Sequence, residues 1–181
     1  MTTDEEVILA FQSGSGEAFE ELFRRYREPI YGFFRRRLQD PARAEELAQE
    51  TFLAVLRGIH RYEPRALFRT YLYAIAVKLT AAERRKAWRQ VPETKEIKEP
   101  ADPQSQSGPD AGIAVRDAVA RLEAMDREVL LLREFEQLSY EEIAAVLRLP
   151  LNTVRSRLFR ARMALRDLLT APSERAERAQ I

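Results

Sequence analysis

Residues 155–166 hold five arginines and no acidic residue. A guanidinium is a permanent cation with a planar fork of donors, matched to phosphate oxygens and to the O6/N7 edge of guanine. At about 100° per helical residue, Val154, Leu158, Ala161 and Leu165 fall on one apolar face. Arg155, Ser156, Phe159 and Arg160 fall on an adjacent face. Such a helix can enter a major groove with its N-terminal end first, so Asn152 and Thr153 at its start join the candidate DNA contacts. Arg155 and Arg160 have the reach and geometry for guanine edges. Ser156 can serve a base or a phosphate, and Phe159 can touch a thymine methyl. Arg157 and Arg162 lie towards the flanks, which suits phosphate contact.

An arginine-rich helix face is more often simply solvated. Here its surroundings argue for DNA. Ser139-x-x-Glu142 is a capping box that opens a helix with Ile143, Ala144 and Leu147 inward. Leu149-Pro150-Leu151 stops that helix, and Asn152 is a good N-cap for the next, which is expected over Asn152 to Arg166. Capped helix, short turn and arginine helix, in that order, form a helix-turn-helix. Arg148 stands in the turn.

The periodic signals elsewhere are helical too, and no stretch alternates in the manner of a strand. Phe19, Leu22, Phe23, Tyr26, Ile30, Phe34 and Leu38 share one face of a long helix that Pro29 should bend. Asp40-Pro41 reads as an N-cap followed by proline at the first helical position. The helix it opens buries Ala44, Leu47, Ala48, Val55, Leu56 and Ile59. After a turn at Tyr62-Glu63-Pro64, a further stripe follows in Phe68, Tyr71, Leu72, Ile75, Ala76 and Leu79. Residues 91–112 hold four of the nine prolines and have net charge −3, from two basic and five acidic side chains. They read as a flexible acidic linker with a root-mean-square reach of roughly 25 Å. A second module begins near Ile113, with Val115, Ala118, Val119 and Leu122 inward and a helix over Arg127 to Phe135. Residues 171–181 read as a short tail. The expected fold is all-α: two small helical domains, 1–90 and 113–170, joined by the linker, the second a helix-turn-helix.

Composition narrows the function. The 181 residues contain no cysteine and one histidine, His60, so thiolate chemistry is excluded and no metal site or cofactor is expected. Glycine-rich phosphate loops and activated nucleophiles are absent from the sequence, and an enzyme is not expected. With no apolar run near the roughly 18 residues of a membrane span and an acidic N-terminus unlike a signal peptide, a cytoplasmic location is expected.

The stretch LSYEEIAAVLRLPLNTVRSRLFRARMALRDLL resembles the C-terminal DNA-binding domain of bacterial sigma factors. DPARAEELAQETFLAVLRGIHRYEP looks like that family's core-polymerase-binding segment, and FRTYLYAIAVKL like its promoter-melting segment. The two-module layout is similar to that of the extracytoplasmic-function (ECF) sigma factors of the sigma-70 family, over about residues 5–170. The resemblance implies a promoter-specificity subunit of RNA polymerase. Asp40, Glu45, Glu46, Gln49, Glu50 and Phe52 would then contact the clamp coiled coil of the polymerase's largest subunit. The helix Phe68 to Lys86 would engage the melted −10 element through Tyr71, Tyr73, Lys78, Arg84 and Arg85, although core packing accounts equally well for Tyr71. The second module would read the −35 element as duplex and meet the polymerase flap. The resemblance also implies an anti-sigma partner.

The melting segment departs from the family's W-L-x-x-I-A-R-N-x-x-x-D-x-x-R pattern, with Tyr71 for Trp, Val77 for Arg, Lys78 for Asn and Ala82 for Asp, while Arg85 fits. Two other readings compete. A stand-alone helix-turn-helix regulator would bind DNA without polymerase, but it would not need the first module. A sigma-like adaptor that only binds an anti-sigma factor would not need the arginine face.

Overall fold

The computed structural model describes residues 2–63, 67–89 and 111–178, the side chains of 111, 113 and 171–178 excepted. All regular structure among these residues is helical, and the chain divides into two compact units. Most of the expected linker, through residue 110, lies outside the described residues.

The N-terminal unit contains α1 (Asp4–Gln12), α2 (Gly16–Arg35), α3 (Pro41–Gly58), a 3-10 turn (Ile59–Arg61) and α4 (Phe68–Arg89). The sequence pattern does not announce α1. Its start is fixed by a capping box, in which Thr3 and Glu6 exchange side-chain-to-backbone hydrogen bonds. Gly14, with φ +101°, makes the turn into α2 that a side chain would strain. The chain continues helically through Pro29, and α3 opens as read: the Asp40 carboxylate accepts from the Ala42 N–H at 2.9 Å, with Pro41 next.

These helices pack because their apolar faces converge. Ile8, Leu22, Ile30, Phe33, Phe34, Leu47, Phe68 and Leu72 are all essentially without solvent contact. Each such side chain contributes about 1.5–3 kcal/mol of burial. Gln12 ties α1 to the far end of α3 by donating from Nε2 to the carbonyls of Ile59 and Tyr62, both at 2.8 Å. Two residues of the apolar stripes are exposed, Phe23 on α2 and Leu56 on α3; α3 meets its neighbours through Ala44, Leu47, Thr51 and Val55 and turns Leu53 and Leu56 outward.

The C-terminal unit contains α5 (Ala111–Ala120), α6 (Ala124–Glu134), α7 (Tyr140–Leu147) and α8 (Leu151–Arg178). α8 packs on α5 and α6, with Val154, Leu158 and Ala161 in the core beside Val129, Leu132 and Ile143. The Ser139–Glu142 capping box opens α7 as the sequence indicates. Of the inward residues assigned to α7, Ile143 is buried, Ala144 and Leu147 are half-buried, and Val146 takes the remaining core position. Arg148 closes the helix in the left-handed region at φ 54°, and Gln137, which no sequence signal marks, adopts the same φ. Val115, assigned inward, is exposed.

Two helix limits differ from the pattern. α6 begins at Ala124, with the Glu123 side chain accepting from the Asp126 N–H at its cap. α8 begins at Leu151, one residue early, and the Pro150 carbonyl accepts from Thr153 and Val154. Asn152 is therefore in the first helical turn and not the cap. The backbone of α8 remains helical through Arg178, beyond Arg166 and into the stretch read as a tail.

Gly58 shows how tightly α3 and α4 meet. A Cβ there would lie 2.5 Å from the Tyr71 hydroxyl oxygen, and the next ring atom is 3.9 Å away. Gly58→Ala should cost about 1–2 kcal/mol in chemical denaturation. In a Tyr71→Phe background the cost should vanish, since the clash is with the hydroxyl alone. An equal cost in both backgrounds contradicts this packing.

Candidate nucleic-acid interface

Burial of Val154, Leu158 and Ala161 leaves the other faces of α8 outward, and the predicted residues divide there into distinct roles. Asn152, Arg155, Ser156, Phe159, Arg160 and Arg162 are exposed, and Thr153 is half-buried. Phe159 is 64% exposed, a large apolar surface left in water beside three arginines. The Arg155 guanidinium reaches back to the Asn152 side-chain oxygen at 3.4 Å, a long bond that a groove contact can replace. Ser156 donates its hydroxyl to the Thr153 carbonyl at 3.0 Å, so in this state it offers an acceptor and not a donor.

Arg157 does not stand on the flank as a phosphate contact. Its Nη1 donates to Asp126 at 2.8 Å and to Glu123 at 3.0 Å, and its side chain is only 25% exposed. Its Nε is buried without a hydrogen-bond partner. Position on the wheel pointed it outward, but the first turn of α6 supplies two carboxylates that fold it inward. Arg160 shares Asp126, with Nε and Nη2 each donating at 3.2 Å, yet its side chain stays 55% exposed. Burial pushes the Asp126 carboxyl up, but the hydrogen bonds from Arg160 and Arg157 outweigh it and hold the group below the usual carboxylate range. Arg162 pairs with Glu134 at 2.7 Å, a surface ion pair that a phosphate can displace.

On α4 the aromatic and cationic candidates separate. Tyr73 is buried, its ring 5.8 Å from that of Phe33, and is no platform for a base. Tyr71 is half-buried among Tyr62, Phe68 and Gly58, and burial raises its phenol pKa. Both belong to the core, because α4 turns this side of its first two turns towards α2 and α3. Lys78, Arg84 and Arg85 are exposed. The aromatic side chain that accompanies them is one the sequence reading missed. Trp88, the chain's single tryptophan, is 66% exposed in the last turn of α4, three residues after Arg85. Its position off the apolar stripe is the signal that could have found it.

On α3, Glu45, Glu46, Gln49 and Glu50 are exposed together as read, and Asp40 is exposed as the cap. Phe52 is not part of that surface. It is buried, edge-on to Phe23 with ring centres 4.9 Å apart. Leu53 and Leu56 continue the exposed face instead, giving an acidic patch an apolar end. Arg43 donates to Glu46 and Glu50 on its own helix and to Glu83 on α4, the last at 2.7 Å. Among the described residues no group of His, Cys, Asp or Glu is placed to hold a metal ion, and no helix is long and apolar enough to cross a membrane.

Comparisons with known proteins identify the family. Residues 22–90 match the family model described as Sigma-70 region 2, and residues 113–165 that described as Sigma-70, region 4. The chain is 32% identical to the RNA polymerase sigma-H factor of Pseudomonas aeruginosa, covering 90% of this chain and 91% of that protein. It is 31% identical to the ECF RNA polymerase sigma factor SigW of Bacillus subtilis, covering 90% and 94%. Among solved structures it resembles the sigma factor RpoE in its complex with the anti-sigma factor NepR from Bartonella quintana, with TM-score 0.72, 25% identity and coverage of 84% and 96%.

The Arg43–Glu83 bond sets a test of the α3–α4 packing. The hydrogen bond from Arg43 is the largest influence on Glu83 and holds its carboxyl below the ordinary value. A depressed carboxylate stabilises the fold above its unfolded pKa, and that contribution is lost as pH falls through the folded one. Unfolding free energy should therefore drop below about pH 4, and Glu83→Gln should lower stability at neutral pH while making the acid limb shallower. A variant with an unchanged acid limb contradicts the pairing.

Proposed function

The chain belongs to the sigma-70 family of RNA polymerase sigma factors, in its ECF group, and from that we propose how its surfaces share the work of directing the polymerase core to promoters. The C-terminal unit reads the −35 element as duplex. Arg155, Ser156, Phe159 and Arg160 face the bases, with Asn152 and Thr153 at the groove-entering end and Arg162 on the backbone. Arg157 braces this face from behind. The observation that carries the reading is the exposed, acid-free arginine face of α8, aimed outward by the burial of Val154, Leu158 and Ala161. The acids that pair with Arg157, Arg160 and Arg162 come from α6 and its N-cap, Glu123.

The N-terminal unit meets the polymerase clamp through Glu45, Glu46, Gln49 and Glu50, extended by Leu53 and Leu56. An acidic face with an apolar end is complementary to a basic helical surface: the charges steer the encounter and the leucines are buried on contact. Phe52 supports this surface from the core. For the −10 element, single-strand binding needs cations beside an accessible aromatic ring. Lys78, Arg84 and Arg85 supply the first and Trp88 the second, in place of Tyr71 and Tyr73. The boundaries of the working parts follow the helices: region 2 on α2 to α4, with α1 packed against them, and region 4 on α5 to α8. The protein works as a transcription initiation factor without catalysis of its own. An anti-sigma factor is its expected regulator, since a structural relative is held by one. These surfaces serve a cytoplasmic protein.

A stand-alone regulator is the weaker reading, because it leaves the exposed α3 face without a role. An adaptor that only sequesters a partner leaves the arginine face without one.

Reconstituted transcription with core polymerase tests the assignment. Arg155→Ala should lose about 1–3 kcal/mol of discrimination at one −35 base pair. Trp88→Ala should leave binding to the closed duplex intact and reduce open-complex formation, read by permanganate reactivity, by about 1–3 kcal/mol, with Trp88→Phe retaining most of it. Wild-type opening by Trp88→Ala removes Trp88 from the −10 site.

A further inference from the structure

We infer that Asp126, on α6, is the positioning residue for base readout by Arg160. This rests on the reading of Arg160 as a base-contacting side chain. A guanidinium has two edges that can form paired hydrogen bonds: one made by Nε and Nη2, the other by the two Nη groups. Asp126 takes the first edge. Its Oδ2 accepts from Nε and its Oδ1 from Nη2, both at 3.2 Å. Asp126 makes no bond to Nη1, so the end of the fork formed by the Nη groups, the edge that suits guanine O6 and N7, is not taken by it.

Asp126 is built to hold still. The residue is 8% exposed, in the first turn of α6, where a helix N-terminus favours negative charge. Its Oδ1 also accepts from Arg157 at 2.8 Å, and Arg157 is itself tied to Glu123. The second arginine compensates the carboxylate's charge, so Asp126 does not need Arg160 for its own burial. It serves as a fixed abutment. A free arginine side chain has many rotamers to lose on entering a groove, and one already clamped at its inner edge has fewer. The same geometry gives specificity: a guanidinium held at one angle meets one base step, where a swinging one meets any nearby acceptor.

Two other roles for the Asp126–Arg160 pair make different predictions. As a mere stability ion pair, Asp126 matters equally for all DNA sequences. As a competitor that occupies Arg160 until a phosphate displaces it, its removal raises affinity for all sequences alike.

The test uses the full chain assembled with core polymerase on a cognate promoter, and on a panel carrying each single base-pair substitution in the −35 element. Arg160→Ala should lose about tenfold in discrimination at one base pair. Asp126→Asn, which keeps the volume and removes the charge, should lose about threefold to tenfold at that same base pair and little at the others. The double variant should be no worse there than Arg160→Ala alone. Asp126→Glu, which restores the charge on a longer stem, should recover part of the discrimination, and it carries the same comparison if Asp126→Asn is too unstable to assay. Selective loss in Arg160→Ala with a uniform loss or gain in Asp126→Asn overturns the positioning role alone. Additive effects at the shared base pair overturn it as well. A uniform loss in Arg160→Ala overturns the base-reading assignment and this inference with it.

Discussion

Burial of Val154, Leu158 and Ala161 is the constraint on which the C-terminal unit depends. Three apolar side chains at helical spacing fix the rotation of α8 about its own axis. Once that rotation is set, every other position is assigned to a direction: Arg155 and Phe159 to solvent, Arg157 and Arg160 towards the first turn of α6. A rotation by one residue, about 100°, would bury arginines and expose leucines at a cost no ion pair could offset. The outward aim of the arginine face is thus a by-product of core packing. Its finer adjustment comes from α6 and its N-cap, where Glu123, Asp126 and Glu134 each engage an arginine of α8.

The N-terminal unit divides α3 and α4 between core and surface in the same manner. α3 turns Leu47, Thr51 and Val55 inward and presents Glu45, Glu46, Gln49 and Glu50 together with Leu53 and Leu56. α4 spends its aromatic residues at the start, Phe68, Tyr71 and Tyr73, on packing, and emerges as a cationic segment that ends in Trp88. Arg43 joins the two, bonded at once to the acidic face of α3 and to Glu83 on α4. The acidic face of α3 and the cationic end of α4 are therefore linked through one side chain.

Much of this is written in local signals. The Ser139–Glu142 box and the Asp40-Pro41 cap depend on residues close in sequence and read correctly for that reason. The apolar stripe of α8 reads correctly because its period is regular. What stays hidden depends on distant partners. Nothing near Arg157 reveals that Asp126, far away in sequence, will fold it inward. Tyr73 looks like an exposed ring beside a lysine until Phe33 is brought against it from α2. Phe52 sits in an acidic helix face by spacing, yet Phe23 claims it. A local signal can also mislead: α8 starts at Leu151 because the Pro150 carbonyl accepts its first hydrogen bonds, which displaces Asn152 from the cap.

In the proposed function each unit contacts its own promoter element, and the chain does so only when bound to the polymerase core. Footprinting of a cognate promoter at physiological salt, with the chain alone, the core alone and the two combined, tests this most directly. Protection of both the −35 and −10 elements only when the two are combined is the predicted result. Protection of a compact site by the chain alone, unchanged when core is added, would contradict it.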